Sequence, residues 1–178
     1  FWNNGDGTFT DGTVAAGDAA AVESACSQIV ETLELPLSPA EFAIAWGERF
    51  FETIDASNHE SFRTLYECEL VSLRETLARF GRQPDAEPFV QTLEDYWRNP
   101  PIHSDALELL RNVRVPVCCV SNADSGTLHA AIERHGLRFD HIVCSETSRC
   151  YKPEARIFGD ALGRLGLKAH RVLHVGDS

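Results

Sequence analysis

The stretch NNGDGTFTD, Asn3 to Asp11, decides how the rest of the chain is read. Its Asp6-Gly7-Thr8 turn is followed by an apolar Phe9 and a second carboxylate at Asp11, and an amide, Asn4, stands two positions before Asp6. A loop of this kind gathers oxygen ligands and backbone N–H groups at one point, which suits an anion, a cation, or both together. Its meaning depends on the elements that surround it.

After the loop the apolar residues fall at helical spacing. Val22, Cys26, Ile29, Val30 and Leu33 share one face. Ser38, Pro39 and Glu41 spell a capping box with proline in the first turn. The helix they open carries Phe42, Trp46, Phe50 and Ile54 at intervals of four. A third run holds Phe62, Leu65, Tyr66, Leu70, Leu73, Leu77 and Phe80, with Gly81 placed to end it. A fourth holds Phe89, Leu93, Tyr96 and Trp97 before Asn99-Pro100-Pro101 breaks it. Residues from about 17 to 98 therefore read as all helical. The aromatic stripes there read as core packing before they read as a pocket lining.

From residue 101 the pattern changes. HSDALELLRNV reads as a helix, VPVCCV as a strand buried on both faces, and DSGTLHAAIERHG as a capped helix closed by Gly136. FDHIVCSE, PEARIFGDALGRLG and RVLHV continue as strand, helix and strand. This alternation predicts a doubly wound parallel α/β sheet, in which ligands sit beyond the carboxyl ends of the strands.

The bulk composition narrows the function classes. The chain has 178 residues, 43% of them hydrophobic, enough for one core with a modest insertion. Sixteen Lys and Arg against 27 Asp and Glu give a net charge of −11, which argues against a nucleic-acid partner. An acidic chain that handles phosphate needs a metal ion or oriented N–H groups to offset the repulsion. The six cysteines include no C-x-x-C pair and read as buried thiols. No apolar run approaches the length of a membrane span, and no basic stretch precedes an apolar one at the start, so a cytoplasmic protein without a membrane partner is expected. The histidines show no zinc-binding spacing on one helix.

The strand ends supply the chemistry. VPVCCV runs into Ser121-Asn122, HIVCSE leads to Lys152 in YKPEARIF, and RVLHV ends in Gly176-Asp177-Ser178. A hydroxyl, an ammonium and a carboxylate thus arrive at one sheet edge, and the Asp6 loop joins them if residues 1–3 end another strand. Each feature alone is a common loop residue; their order and shared edge carry the signal. In these four places the chain resembles the haloacid-dehalogenase-type (HAD) hydrolases that carry a helical cap after the first motif. The motif Asp-x-Asp-Gly-Thr-hydrophobic-x-Asp falls on Asn4 to Asp11, the second on Ser121, the third on Lys152 and the fourth on Asp177.

The resemblance implies a core formed by residues 1–14 and 99–178, with residues 15–98 as the cap. It implies Mg²⁺-dependent hydrolysis of a small phosphorylated metabolite through an aspartyl phosphate. Asp6 would act as acid and then base, while Thr8, Ser121, Asn122 and Lys152 would hold phosphate oxygens. The positions of Asn4, Asp6 and Asp177 would hold the metal. Two departures stand out. Asn4 occupies the nucleophile's place, where an amide is a poor nucleophile, and Gly5 replaces a bulky apolar residue. The first strand is represented only by residues 1–3, and the chain stops just past Asp177, so both ends read as clipped.

Other readings stay open at this point. A non-catalytic relative that binds a phosphorylated ligand would also keep the pocket and lose the nucleophile. In this family the same nucleophile also serves carbon–halogen cleavage, and dehalogenases retain counterparts of Ser121 and Lys152. The opening loop also resembles the acidic loops of FG-GAP-type propeller repeats, although no second copy occurs.

Overall fold

All four helices expected from the apolar spacing form in the computed structural model, which describes residues 16–102 and 104–175. They are α1 (Ala16–Thr32), α2 (Pro39–Asp55), α3 (Leu65–Arg79) and α4 (Glu87–Trp97). The capping box at α2 is made: the Ser38 amide donates to Glu41 Oε2 at 2.8 Å, and the Glu41 amide donates to Ser38 Oγ at 3.3 Å. Helix α3 starts later than the apolar run suggested. Thr64 and Glu67 form a second capping box that fixes the start at Leu65, and a short 3-10 turn, His59–Ser61, precedes it. Gly81, at φ +70°, ends α3, and the amides of Gly81 and Arg82 donate back to Ala78 and Leu77.

The apolar stripes of these helices meet in one core. Ile29, Phe42, Leu73, Leu77 and Val90 are all buried in it. Each such side chain contributes about 1.5–3 kcal/mol on burial, which outweighs the modest propensities of the helices themselves.

Beyond residue 102 the chain forms α5 (Ser104–Asn112), β1 (Cys118–Ser121), α6 (Ser125–Arg134), β2 (His141–Cys144), α7 (Ser145–Ser148) and α8 (Ala155–Leu165). Strands β1 and β2 pair in parallel, Cys118 opposite His141 through to Ser121 opposite Cys144, with α6 as the crossover between them. The fold is an α/β structure with a parallel sheet and a large helical part. A second core, around Val143, Cys150, Ile157 and Ala161, holds α8 against the sheet.

Two expectations are corrected here. β1 is only half-buried, although its β-branched and thiol side chains predicted burial on both faces. Among the described residues β2 is its one ladder partner, and α8 packs against both strands. Residues 172–175 do not form the expected third strand; no ladder partner is placed beside them among the described residues, and Leu173 is 85% exposed. An apolar alternation builds a strand only when a neighbour takes up its N–H and C=O groups.

All six cysteines are free, four of them buried. No helix among the described residues is long and apolar enough to cross a membrane.

Candidate functional site

The carboxyl end of β1 brings two sequence-predicted residues together. Beyond Ser121 the side chain of Asn122 takes over from the ladder: its Oδ1 accepts from the Lys152 amide at 2.7 Å, and its Nδ2 donates to the Lys152 carbonyl at 3.3 Å. An amide group of this kind imitates a peptide unit, so it extends strand pairing by one rung. Asn122 thus anchors the segment that carries Lys152 to the tip of β1. The Lys152–Pro153 peptide in that segment is cis. Asn4, Asp6, Thr8 and Asp177 lie outside the described residues.

A cavity of about 310 Å³ opens directly over Ser121 and Asn122. Most of its other walls come from the helical part, Trp46, Phe50 and Phe51 of α2, Glu69 of α3, and Leu93 and Trp97 of α4, with Thr127, Leu128 and Ala131 of α6 and Tyr151 completing it. Three acidic side chains reach its lining, Glu69, Glu94 and Asp124, and among the described residues no Lys or Arg does.

Glu69 is an ionisable residue in an apolar place. It is only 5% exposed, its Oε1 accepts from Trp97 Nε1 at 3.2 Å, and its Oε2 has no partner among the described residues. Burial pushes its carboxyl up to about 8, and the nearby carboxylates of Glu94 and Asp124 push in the same direction. Burial and the neighbouring acids thus favour the protonated form of the Glu69 carboxyl. Sequence reasoning passed over it, yet the signal was present: Glu69 sits four residues after Leu65 and four before Leu73, on the apolar stripe of α3. Glu94 occupies the same kind of position between Val90 and Trp97.

Asp124 ties the two parts of the fold together. It precedes α6, where the sequence predicts a cap, yet it makes no side-chain cap to that helix. Its carboxylate instead accepts from the amides of Leu65 at 2.7 Å and Tyr66 at 2.9 Å, the first two of α3. With Thr64 taking the third amide, the N-terminus of α3 is satisfied across the cavity's edge. Burial raises the Asp124 carboxyl above its ordinary range despite these two amide bonds, with Glu146 and Glu94 adding to the rise.

Two further links run alongside. Thr127 Oγ1 donates to Glu94 Oε2 at 2.8 Å, and Tyr151, next to Lys152, donates its hydroxyl to the Arg63 carbonyl at 2.9 Å. Replacing Asp124 by Ala leaves two helix amides without their acceptor. We expect a loss of about 1–3 kcal/mol in unfolding free energy, read from urea titrations. A change below about 0.3 kcal/mol would show that water replaces the carboxylate.

Sequence comparison decides the family. The profile of the haloacid dehalogenase-like hydrolases matches residues 6–178, nearly the whole chain. The chain belongs to the haloacid dehalogenase-like hydrolases. Among curated proteins, the (S)-2-haloacid dehalogenase of Pseudomonas sp. (strain YL) is 28% identical over 111 residues, 60% of this chain and 48% of that protein. The chain thus spans about half the length of this curated relative.

Solved structures of the haloacid dehalogenase-like fold agree in architecture. A defluorinating L-2-haloacid dehalogenase superposes with a TM-score of 0.67 at 22% identity, covering 89% of this chain and 67% of its own. The L-2-haloacid dehalogenase of Xanthobacter autotrophicus, with chloropropionic acid covalently bound, gives 0.62 at 20% identity, over 83% of this chain and 60% of its own. The putative HAD-hydrolase YfnB of Bacillus subtilis, bound to magnesium, gives 0.65 at 19% identity, over 88% of this chain and 70% of its own.

Proposed function

We propose that this HAD-type chain is built around a small phosphomonoester, with the phosphoryl group at the tip of β1 and the organic part in the cavity, and that Asn4 at the nucleophile's position leaves the chain as given without turnover. The four helices then serve as the cap that shapes specificity. The observation that carries this reading is the sorting of charge around the cavity. Aromatic rings and the acids Glu69 and Glu94 line its helical side, while Ser121, Asn122 and Asp124 stand at its sheet end beside the Lys152 segment. A substrate carboxylate drawn to the helical side would meet the acids Glu69 and Glu94 and, among the described lining residues, no Lys or Arg. A phosphoryl group left at the sheet end leaves an uncharged or cationic organic part inside, which such walls tolerate.

In this reading Ser121 and the residues proposed with it, Lys152, Thr8 and Asn122, hold phosphate oxygens, where charge gathers in the transition state. Asp6 protonates the leaving oxygen and afterwards takes a proton from water. Asn4 stands where the nucleophile belongs and blocks the covalent route. Mg²⁺ is proposed on Asn4, Asp6 and Asp177 alone, where it would offset phosphoryl charge. At the tip of β1 the described residues supply a hydroxyl and an amide, and no metal-ligating cluster of three His, Cys, Asp or Glu occurs among them.

A second reading is favoured by the relatives at least as strongly: displacement of halide from a 2-haloacid, the activity named for the Pseudomonas protein. An apolar cavity suits attack at carbon by a desolvated carboxylate. One experiment separates the two. The full chain and its Asn4→Asp variant are given p-nitrophenyl phosphate with Mg²⁺, and separately (S)-2-chloropropionate, and released phosphate and chloride are measured. We expect phosphate from the variant alone. Chloride alone would transfer the assignment to the second reading, and neither product from the folded variant would sink both.

A further inference from the structure

We infer that the cavity is a recognition site for an ammonium group, carried by the organic part of the substrate and docked on the carboxyl group of Glu69 between aromatic walls. Three observations converge on this. Glu69 is buried with one carboxyl oxygen that has no partner among the described residues, an arrangement that costs free energy unless a further group completes it. Trp46, Phe50, Phe51 and Trp97 line the same cavity and offer the ring surfaces on which organic cations settle. Glu94 and Asp124 add negative potential, and among the described residues no Lys or Arg lines the cavity to compete.

The groups that face Glu69 fix the sign of the pH dependence. Glu94 and Asp124 oppose its ionisation, and the Trp97 indole favours it. Arg98, 3.8 Å from Glu94, is engaged with that residue, and the Tyr151 phenol is held protonated by burial. An ammonium ion arriving beside Glu69 compensates the charge that burial otherwise suppresses. The balance is simple: the carboxylic acid gives its proton to solvent, the carboxylate pairs with the ammonium, and no electron moves. Affinity therefore rises as pH climbs toward 8, and binding releases up to one proton, fewer as the pH approaches that value.

The inference does not depend on which bond is hydrolysed, and its test avoids turnover. The full chain, with Asn4 in place, is titrated at pH 7 with benzylammonium, benzyl alcohol and benzoate, followed by calorimetry and tryptophan fluorescence. We expect benzylammonium to bind at least tenfold more tightly than either relative, and heats in buffers of different ionisation enthalpy to report proton release. Glu69→Gln, which keeps shape and the bond from Trp97, should lose that tenfold preference and the proton release while its circular dichroism is unchanged. Equal binding of the alcohol, no saturable binding of benzylammonium, or an undiminished preference in the variant would each overturn the inference. If Glu69→Gln does not fold, the buffer dependence of the parent chain decides alone: no proton release rejects it. Failure here leaves the phosphate and chloride results untouched, so the two assignments fall separately.

Discussion

Replacing Asn4 by Asp in the full chain should raise its hydrolytic rate by at least about 10³-fold, the scale on which removing a nucleophile cripples an enzyme that works through a covalent intermediate. An amide oxygen carries no formal charge, and its lone pairs are delocalised into the C–N bond. It therefore attacks phosphorus or carbon poorly, and it contributes no charge to a metal site. The carboxylate differs from it by one atom, so the fold should be indifferent to the exchange. The Asn4-Gly5 step offers an internal control, because an Asn followed by Gly, which has no side chain to hinder ring closure, loses its amide readily. Parent protein should gain activity with age in proportion to the deamidated peptide seen by mass spectrometry. Equal rates for fresh parent and Asn4→Asp, with both folded, would show that position 4 is not the site of attack.

The second large effect concerns stability and pH. The Glu69 carboxyl keeps its proton to about pH 8 in the folded chain, whereas in the unfolded chain it is released near roughly pH 4.3. Between those values the folded state binds the extra proton, so unfolding free energy falls as pH rises. The loss begins near the lower value and is complete above the higher one. More than three pKa units at about 1.4 kcal/mol each give a loss on the order of 4 kcal/mol across this window. Glu69→Gln removes the titration but can still accept from Trp97. The variant should match the parent near pH 4 and exceed it increasingly toward pH 8 in urea midpoints. Parallel pH profiles for the two would show that water reaches Glu69 and the group ionises normally.

Much of this architecture was legible in the sequence because its cause is local. The spacing of Phe42, Trp46, Phe50 and Ile54, the Ser38–Glu41 box and the glycines at 81, 136 and 166 act within a few residues, and each element they define is present. The approach of the Lys152 segment to Asn122 was likewise legible, since the order of strand and helix brings their strand ends to one edge. The cavity was not. It is made by side chains from α2, α3 and α4 closing over β1, and its charge depends on two acids, Glu69 and Glu94, that interrupt otherwise apolar stripes. Those interruptions were visible, but an acid on a helix is usually solvated, and only packing shows that these are not. Asp124 misled for a related reason: the position before a helix suggests a cap for that helix, while its carboxylate serves a distant one. RVLHV failed as a strand because pairing is a property of neighbours, which a stretch of sequence does not contain.

That distant service of Asp124 has a bearing on how the protein is born. The first turn of α3 waits for a residue made 59 positions later, so during synthesis at about 5–20 residues per second it emerges with its leading amides open for roughly 3–12 s. The nascent helical half must therefore ride on the ribosome incompletely knit, sealed only when the tip of the first paired strand arrives.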